Sequence, residues 1–456
     1  MKQFRNPRLS IWQSAVDEVL ARDALAAQPQ GVGTGRPAAD HSTVLETNAF
    51  CSAMDSAASP LRRVSGCKVV PLLRKLWSGC PLKLKRILRK ILPEKPAAQC
   101  SAYALKLAKA AILGDRKQYE IYKDDFMRFG ICDLRYLEAV EKYVEYFQAQ
   151  AKKIPYRVYR NLSDFIIDGK LAAKARVAIM GDWGTGEEVA LRVLRQIEAK
   201  EPNVVIHLGD IYYSGTEFED EQYFYRPWRQ ILSPGIPTFS LSGNHDMYSG
   251  GVGYYKLIDQ LGQPASYFCL RNDHWQFLAM DTGLHDHDPS RSTSSATYLE
   301  ETEVAWHQDK IDHAGDRRTI LLSHHQLFTA YEDIDGEEIN LRLHPQVAGW
   351  LPKVALWLWG HEHNFVIYGP FAGLARGRCL GHAAFPVAVN EIPASPLFSN
   401  VPVTRSDASR KSIVLGSISG LYNHGYAIID LDGPAATVSY FQDTDEHLPL
   451  FVETIS

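Results

Sequence analysis

The sequence predicts an α/β domain over residues 156–456, preceded by a mainly helical region over residues 1–155. After Pro155, short runs rich in β-branched and aromatic residues alternate with helical segments, which is the pattern of an α/β fold. Before it, residues 98–128 and 131–152 have the pattern of two long helices. The six strand candidates are ARVAIM (175–180), NVVIHL (203–208), IPTFSL (236–241), WQFLAMD (275–281), TILLS (319–323) and VALWLW (354–359).

Helices and a last pair of strands complete the α/β pattern. Helical segments at 187–199, 219–232 and 299–313 separate the strand candidates. HGYAIIDLD (424–432) and ATVSYF (436–441) have the alternation of a closing pair of strands. We therefore expect one α/β domain that continues to the end of the sequence.

Composition excludes several classes of protein. The chain has 456 residues, of which 45% are hydrophobic and 22% charged, with a net charge of -4, so no global field recruits nucleic acid. No apolar run approaches about 18 residues, and the charged N-terminus does not have the pattern of a secretory signal, so we expect a cytoplasmic protein. The seven cysteines include no CxxC pair, which favours reduced thiols.

Two segments of the N-terminal region have a distinctive composition. Residues 28–60 include a stretch rich in Gly, Pro and Ser, which predicts a flexible segment. Residues 83–92, KLKRILRKIL, predict a short basic amphipathic helix that ends at Pro93. We expect its apolar face to dock on its own domain, and contact with an anionic membrane or a partner protein is the alternative.

Five of the six strand candidates lead into a loop that contains metal-binding residue types. Open α/β sheets place their ligand sites at the carboxyl ends of the strands, so we expect these loops to converge. Glycine beside a ligand lets the backbone approach an ion closely. The loops are GDWG (181–184), GDIYY (209–213), GNHD (243–246), SHH (323–325) and GHEH (360–363).

The chemistry of these loops suggests a two-metal site. Carboxylates, an amide oxygen, imidazoles and a phenol suit Mn, Fe or Zn better than Ca. Two cations about 3.5 to 4 Å apart, bridged by one carboxylate, can hold a phosphoryl group while a metal-bound hydroxide attacks it. Phosphate esters, including small-molecule ones, are among the substrates that need such a site.

The ordered motifs GDxG, GDxxY, GNH(D/E), a strand ending in His, and GHxH resemble those of purple acid phosphatases within the calcineurin-like metallophosphoesterases. The resemblance covers about residues 175–370. It implies a sandwich of two mixed sheets flanked by helices, with two metal ions between the strand-end loops. It does not extend to the helical N-terminal region.

The resemblance also implies a ligand for each motif position. The first metal would be bound by Asp182, Tyr213 and His363, the second by Asn244, His324 and His361, and Asp210 would bridge them. Most calcineurin-like enzymes have Asp-x-His in the first loop, where this chain has Gly184. Tyr213 would replace the missing ligand and favour Fe(III), with Fe, Zn or Mn at the other site. The adjacent Tyr212 remains the alternative phenol.

Other polar residues near the motifs are candidates for catalysis or substrate binding. By resemblance, His245 orients the phosphate or protonates the leaving oxygen, with Asp246 as its hydrogen-bond partner. His325 is expected to face the substrate or to support the ligands. His285 and His287 fall in a surface loop, and Asp281 is expected to be structural. The remaining candidates, for binding a substrate phosphate or as solvated loop residues, are Arg376, Arg378 and His382.

Two other functions remain open at the level of the sequence. The same site could serve a phosphodiesterase, including one that acts on cyclic nucleotides. Alternatively, the metal domain could be a non-catalytic scaffold for an interacting N-terminal region. Every expected ligand position is occupied by a residue able to bind metal, which favours the enzyme.

Overall fold

Short strands alternate with helices through most of the described chain. The structure is a computed structural model that describes residues 142, 143, 146, 147, 150, 152–288, 296–387, 389, 392–418 and 420–455. Nearly all of these lie in one unit, residues 145–456. The helices predicted at 98–128, the flexible segment at 28–60 and the basic helix at 83–92 lie outside the described residues.

The described strands form two large sheets and one short pair. Their orders are β1-β5-β6-β7-β8-β10-β9-β11, β16-β15-β14-β2-β3-β4 and β12-β13. Strands β2, β3 and β4 run parallel, as do β6, β7 and β8. In chain order the strands are β1 (Ile166–Ile167), β2 (Lys174–Met180), β3 (Val204–His207), β4 (Thr238–Ser240), β5 (Phe268–Arg271), β6 (Trp275–Ala279), β7 (Arg318–Ser323), β8 (Val354–Trp359), β9 (Phe365–Tyr368), β10 (Gly377–Leu380), β11 (Val403–Thr404), β12 (Ser417–Ile418), β13 (Leu421–Tyr422), β14 (Gly425–Asp432), β15 (Ala435–Gln442) and β16 (Phe451–Ile455).

The helices of this unit are short. A π-helical turn at Asp220–Tyr225 joins the second and third α-helices, and Leu351–Lys353 is a 3₁₀ turn. None of the helices in the described part of the chain is long and apolar enough to cross a membrane. The α-helices are α1 (Glu188–Ala199), α2 (Glu217–Glu219), α3 (Arg226–Ile231), α4 (Asn244–Met247), α5 (Val252–Leu261), α6 (Glu301–Asp312) and α7 (His344–Val347).

The main hydrophobic core lies between the two large sheets. Alternate residues of a strand point to opposite faces, so Val177 of β2 packs in this core with Phe277 of β6 and Leu358 of β8. The intervening Ala178 faces a second core under the helices. The predicted sandwich of two mixed sheets flanked by helices is therefore confirmed, as are all six strand candidates and the closing pair.

Helix α1 shows how the sequence determines the second core. Its buried residues follow the spacing i, i+3, i+4 and i+7, which gives one apolar face. That face packs on the outer side of the six-stranded sheet, and each fully buried Val, Leu or Ile contributes about 1.5–3 kcal/mol. The buried residues are Ala190, Val193, Leu194 and Ile197.

A buried ion pair joins the two sheets and includes Arg378, a candidate for binding substrate phosphate. Arg378 of β10 donates to both carboxylate oxygens of Glu453 in β16, each at 2.7 Å. Arg376 lies 3.9 Å from the same carboxylate. His382 is buried and its ring contacts Phe365. Arg378 therefore supports the sandwich and is not available to bind substrate phosphate, and for Arg376 and His382 that role stays a prediction.

We expect Glu453→Ala to lower the free energy of unfolding by about 3–5 kcal/mol, because it leaves the Arg378 charge buried without its partner. Urea unfolding measures the change. The control is Glu188→Ala, which breaks the exposed pair with Arg195 and should cost less than about 1 kcal/mol. Equal losses for the two variants would contradict this role.

Candidate metal centre

The five motif loops meet at the carboxyl ends of β2, β3, β4, β7 and β8. The backbone N–H of Asp182 donates to the carbonyl of Gly209 at 3.1 Å, and that of Gly360 donates to His324 at 2.9 Å. The N–H of His361 donates to Asp182 Oδ2 at 2.9 Å. Loops from both sheets are thus hydrogen-bonded to one another, as the sequence predicts.

Three of the expected ligands have an unusual backbone conformation. Asp182, Asp210 and His361 have φ angles of 59°, 73° and 64°, in the left-handed region that non-glycine residues rarely occupy. Such a conformation is unfavourable and persists where surrounding structure enforces it, often at functional sites. The loops therefore hold these side chains in directions that an ordinary turn would not give.

Four ligand atoms converge in what we call the histidine group, which consists of Asp210, Asn244, His324 and His361. Oδ1 of Asn244 lies 3.1 Å from His324 Nε2 and 3.0 Å from His361 Nδ1. The two ring nitrogens are 3.3 Å apart, and His324 Nε2 is also 3.3 Å from Asp210 Oδ2. All four side chains are buried or nearly so.

The outer partners of this group orient its lone pairs inward. His324 Nδ1 lies 3.0 Å from the carbonyl of Leu208, which can only accept, so the hydrogen is on Nδ1 and Nε2 carries a lone pair. The amide nitrogen of Asn244 donates to Tyr248, so its oxygen faces the group. One hydrogen on His361 Nδ1 could bond to only one or two of the facing acceptor atoms. A cation between them could bind all of these atoms.

The spacing of the histidine group fits a metal ion. In a tetrahedral site with metal–ligand bonds of about 2.1 Å, neighbouring ligand atoms lie roughly 3.4 Å apart. The separations in the group are 3.0–3.3 Å. The nitrogen and oxygen donors match Zn, Mn or Fe.

A second cluster, the tyrosine group, consists of Asp182, Asp210, Tyr212 and His363. Its carboxylates and imidazole offer ligand atoms within 4.8 Å of one another. Asp182 Oδ1 lies 3.3 Å from His363 Nε2. Asp210 belongs to both groups, which is the position expected of a bridging ligand.

The phenol in this cluster belongs to Tyr212. Its hydroxyl donates to Asp182 Oδ1 at 2.8 Å and lies 2.8 Å from His363 Nε2. Tyr213 is buried beside it and contacts the rings of Tyr212 and His245. The adjacent alternative, Tyr212, therefore makes the phenol contacts of this cluster, and Tyr213 as a metal ligand stays a prediction, because spacing in the chain does not determine which of two neighbouring rings faces the cluster.

Two buried carboxylates at this position require positive charge nearby. Burial raises the pKa of Asp182, and burial together with the Asp182 charge raises the pKa of Asp210 well above its usual value. Separating buried like charges from water is unfavourable unless a cation or a proton compensates. A metal ion between Asp182 and Asp210 would supply that compensation.

Two glycines leave space that the ligands need. A Cβ on Gly184 would lie 2.7 Å from Ile211 Cα and 2.9 Å from the Asp210 carbonyl. A Cβ on Gly243 would lie 2.0 Å from Asp210 Oδ1. No side chain fits at either position, so the histidine that is common at the position of Gly184 could not be accommodated.

His245 and Asp246 have different environments. His245 Nδ1 lies 2.7 Å from the carbonyl of Tyr213, and Nε2 lies 3.9 Å from Asp210 Oδ2. Asp246 accepts backbone N–H groups from Gly243, Asp210 and Ile211 at 2.7, 2.9 and 3.1 Å. The expected His245–Asp246 pair is therefore corrected, because Asp246 fixes the ligand loops.

The weaker candidates near the motifs have structural contacts. His285 stacks on Tyr298 at 3.8 Å and pairs with Glu300 at 2.9 Å. His287 Nδ1 lies 2.8 Å from the carbonyl of Leu284. Asp281 accepts the Ser242 hydroxyl, which agrees with the structural role expected for it.

Sequence reasoning missed three residues around the ligands. Asp286 and Thr282 each contact a ring nitrogen of His325, and Phe385 stacks on His363 at 3.9 Å. Asp286 lies between His285 and His287, the two histidines that the sequence analysis assigns to a surface loop. No pattern in the chain connects it to His325, which is 39 residues away.

Replacing Gly184 by Ala should reduce metal binding, because the methyl group must displace the backbone that carries Asp210. Metal content per chain, measured after dialysis, should fall while the circular dichroism of the domain is retained. Gly349→Ala is the control, since a Cβ there meets no atom within 4 Å and its backbone is not left-handed. Full metal content in Gly184→Ala would show that this backbone position is unimportant.

Comparison with known proteins agrees with this geometry. Residues 175–365 match the model of the calcineurin-like phosphoesterase family. Glycerophosphodiester phosphodiesterase GpdQ of Enterobacter lignolyticus is 27% identical over 199 residues, 42% of this chain and 64% of that protein, so the match spans less than two thirds of that relative. A metallophosphoesterase 1 homolog of Drosophila melanogaster is 41% identical over 51 residues, 10% of this chain and 14% of its own. A dimetal phosphatase structure from Danio rerio has 12% identity and a TM-score of 0.40, covering 62% of this chain and 98% of that chain. Residues 175–365 therefore form a domain that matches the calcineurin-like phosphoesterase family.

Proposed function

We propose that this protein hydrolyses small-molecule phosphate esters at a dinuclear metal centre formed by the histidine group and the tyrosine group. The observation that carries the proposal is the convergence of acceptor atoms in two buried clusters that share Asp210. Acceptors at these separations repel one another unless a cation or a hydrogen lies between them. The proposed ligands are Asp182, Asp210, Tyr212, Asn244, His324, His361 and His363.

Asp210 and Asp246 would have different roles in such a centre. When bound, two metal ions acidify water and take up charge on the phosphoryl oxygens. Asp210 ties the two groups together, and its carboxylate Oδ1 also accepts the backbone N–H of His245 at 3.0 Å. Asp246 fixes the backbone of Asp210 and Ile211, so the two groups keep their relative positions during the reaction.

His245 is suited to proton transfer at the edge of the site. Its Nδ1 hydrogen is held by the Tyr213 carbonyl, so Nε2 is the basic nitrogen. Burial lowers the pKa of His245 well below its usual value, and an anionic phosphate beside Nε2 would raise it. The ring would then take up a proton at Nε2 and donate it to the leaving oxygen.

We expect His245→Ala to lower kcat by about 10²–10⁴-fold for esters with a basic leaving group. Esters of p-nitrophenol, whose leaving group needs little protonation, should lose much less. The ratio of kcat for an alkyl ester to kcat for a p-nitrophenyl ester measures this difference. Equal losses for both leaving groups would show that His245 does not supply the proton.

The Tyr212 phenol links the proposal to the purple acid phosphatase branch. A deprotonated phenol is a hard anionic ligand, and a trivalent ion favours it. We therefore propose Fe(III) in the tyrosine group, with Fe, Zn or Mn in the histidine group. The contacts of Tyr212 with Asp182 and His363 support this assignment.

Tyr212→Phe should remove the visible charge-transfer band of iron-loaded protein, because it removes the phenolate ligand. Tyr213→Phe is the matched control and should retain the band. The absorption spectrum of each purified variant measures the effect. Colour that survives in Tyr212→Phe and disappears in Tyr213→Phe would return the assignment to Tyr213.

A phosphodiesterase, including one for cyclic nucleotides, is the second candidate. Arg378 pairs with Glu453, so its guanidinium does not bind the second negative charge of a phosphate monoester. One relative at 27% identity is named as a glycerophosphodiester phosphodiesterase, which also favours this candidate.

Metal-dependent turnover tests the proposal and separates the candidates. Protein stripped by chelation should be inactive and should recover with Fe, Mn or Zn. The ratio of kcat/KM for bis-p-nitrophenyl phosphate to that for p-nitrophenyl phosphate distinguishes diesterase from monoesterase. Metal-loaded protein that hydrolyses neither compound would favour the non-catalytic scaffold.

A further inference from the structure

The buried His325 lies beside the proposed ligands, and each of its ring nitrogens has a hydrogen-bond partner. His325 Nε2 lies 3.1 Å from Asp286 Oδ2, and Nδ1 lies 3.1 Å from the hydroxyl of Thr282. The same hydroxyl accepts the backbone N–H of His325 at 3.0 Å. All three residues are buried.

One ring nitrogen of His325 lies within 4.8 Å of ligand atoms of His324 and His361, but both ring nitrogens of His325 have another partner in this arrangement. A hydrogen lies between Nε2 and the Asp286 carboxyl, whichever group carries it. The Thr282 hydroxyl faces the other nitrogen. His325 therefore acts through its contacts, although it adjoins His324 in the chain.

The ring of His325 lies against a proposed ligand. Its centroid is 4.4 Å from that of His361 with an interplanar angle of 37°, and 4.9 Å from that of His324 at 87°. His361 has a left-handed backbone in a short loop, so its ring direction depends on what packs against it. A rotation of the His325 ring would release one face of His361.

The loop that carries Thr282 and Asp286 is itself fixed. A Cβ on Gly283 would lie 2.5 Å from the carbonyl of Gly243, so this loop packs directly on the loop that bears Asn244. Asp286 N–H donates to the Gly283 carbonyl at 3.0 Å. The hydrogen bond to His325 offsets part of the desolvation of the buried Asp286 carboxyl group.

We propose that Asp286 and Thr282 are positioning residues for metal binding, which hold His325 so that its ring orients the ligand His361. The inference rests on the proposed dinuclear centre. Outer partners of metal ligands commonly change metal affinity by about 10–100-fold when they are removed. The loop after β6 would thereby set the affinity of the histidine group for its ion.

The test compares Asp286→Leu, which removes the acceptor, with Asp286→Asn, whose amide oxygen can still accept from Nε2–H. Calorimetric titration of metal-stripped protein with Mn²⁺ gives the dissociation constant at each site. We expect Asp286→Leu to weaken one site about 10–100-fold and Asp286→Asn to stay within a few-fold of the wild type. Thr282→Val removes the other contact and should also weaken one site.

Glu300→Gln is the matched control, since it alters another carboxylate–imidazole pair, with His285, on the same stretch of chain, and it should leave both constants unchanged. Thermal unfolding of the metal-stripped variants checks that each is folded. Unchanged affinity in Asp286→Leu and Thr282→Val, or equal weakening in Asp286→Leu and Asp286→Asn, would overturn the inference. Wild-type protein that binds no Mn²⁺ would instead contradict the dinuclear centre itself.

Discussion

The site depends on Asp210, a buried carboxylate shared by two clusters of ligand atoms. Its backbone has a φ of 73°, and Asp246 holds its N–H at 2.9 Å. The nearby Gly243 has no side chain that would collide with Oδ1. An uncompensated carboxylate in this environment is unfavourable, and the proposed metal ions would balance its charge. Burial and the nearby Asp182 charge raise the pKa of Asp210, because both disfavour its ionised form.

The sandwich explains how ligands from distant parts of the sequence meet around Asp210. The six-stranded sheet supplies the loops after β2, β3 and β4, and the eight-stranded sheet supplies those after β7 and β8. Packing of Val177, Phe277 and Leu358 in one core fixes the distance between the sheets. The Arg378–Glu453 pair joins them through side chains. The histidine group therefore contains residues from both sheets, and its geometry depends on the whole domain.

The sequence predicts the strands that lead to the site well, because apolar runs such as VALWLW end at glycine-containing loops with unusual polar residues. The six proposed ligands other than the phenol were predicted for the same reason, as members of an ordered set of motifs. The choice between Tyr212 and Tyr213 could not be predicted, since neighbouring side chains point in directions that only the backbone angles determine. Nor could the Asp286–His325 contact, because it joins two loops without a sequence motif.

The central claim is that two ions bind on either side of Asp210. Crystals of metal-loaded protein, measured with X-rays at the absorption edge of the added metal, test it directly. We predict two anomalous peaks about 3.5–4 Å apart, one beside Asn244 and His324 and the other beside Asp182 and His363, with Asp210 between them. A single peak, or peaks away from Asp210, would contradict the account.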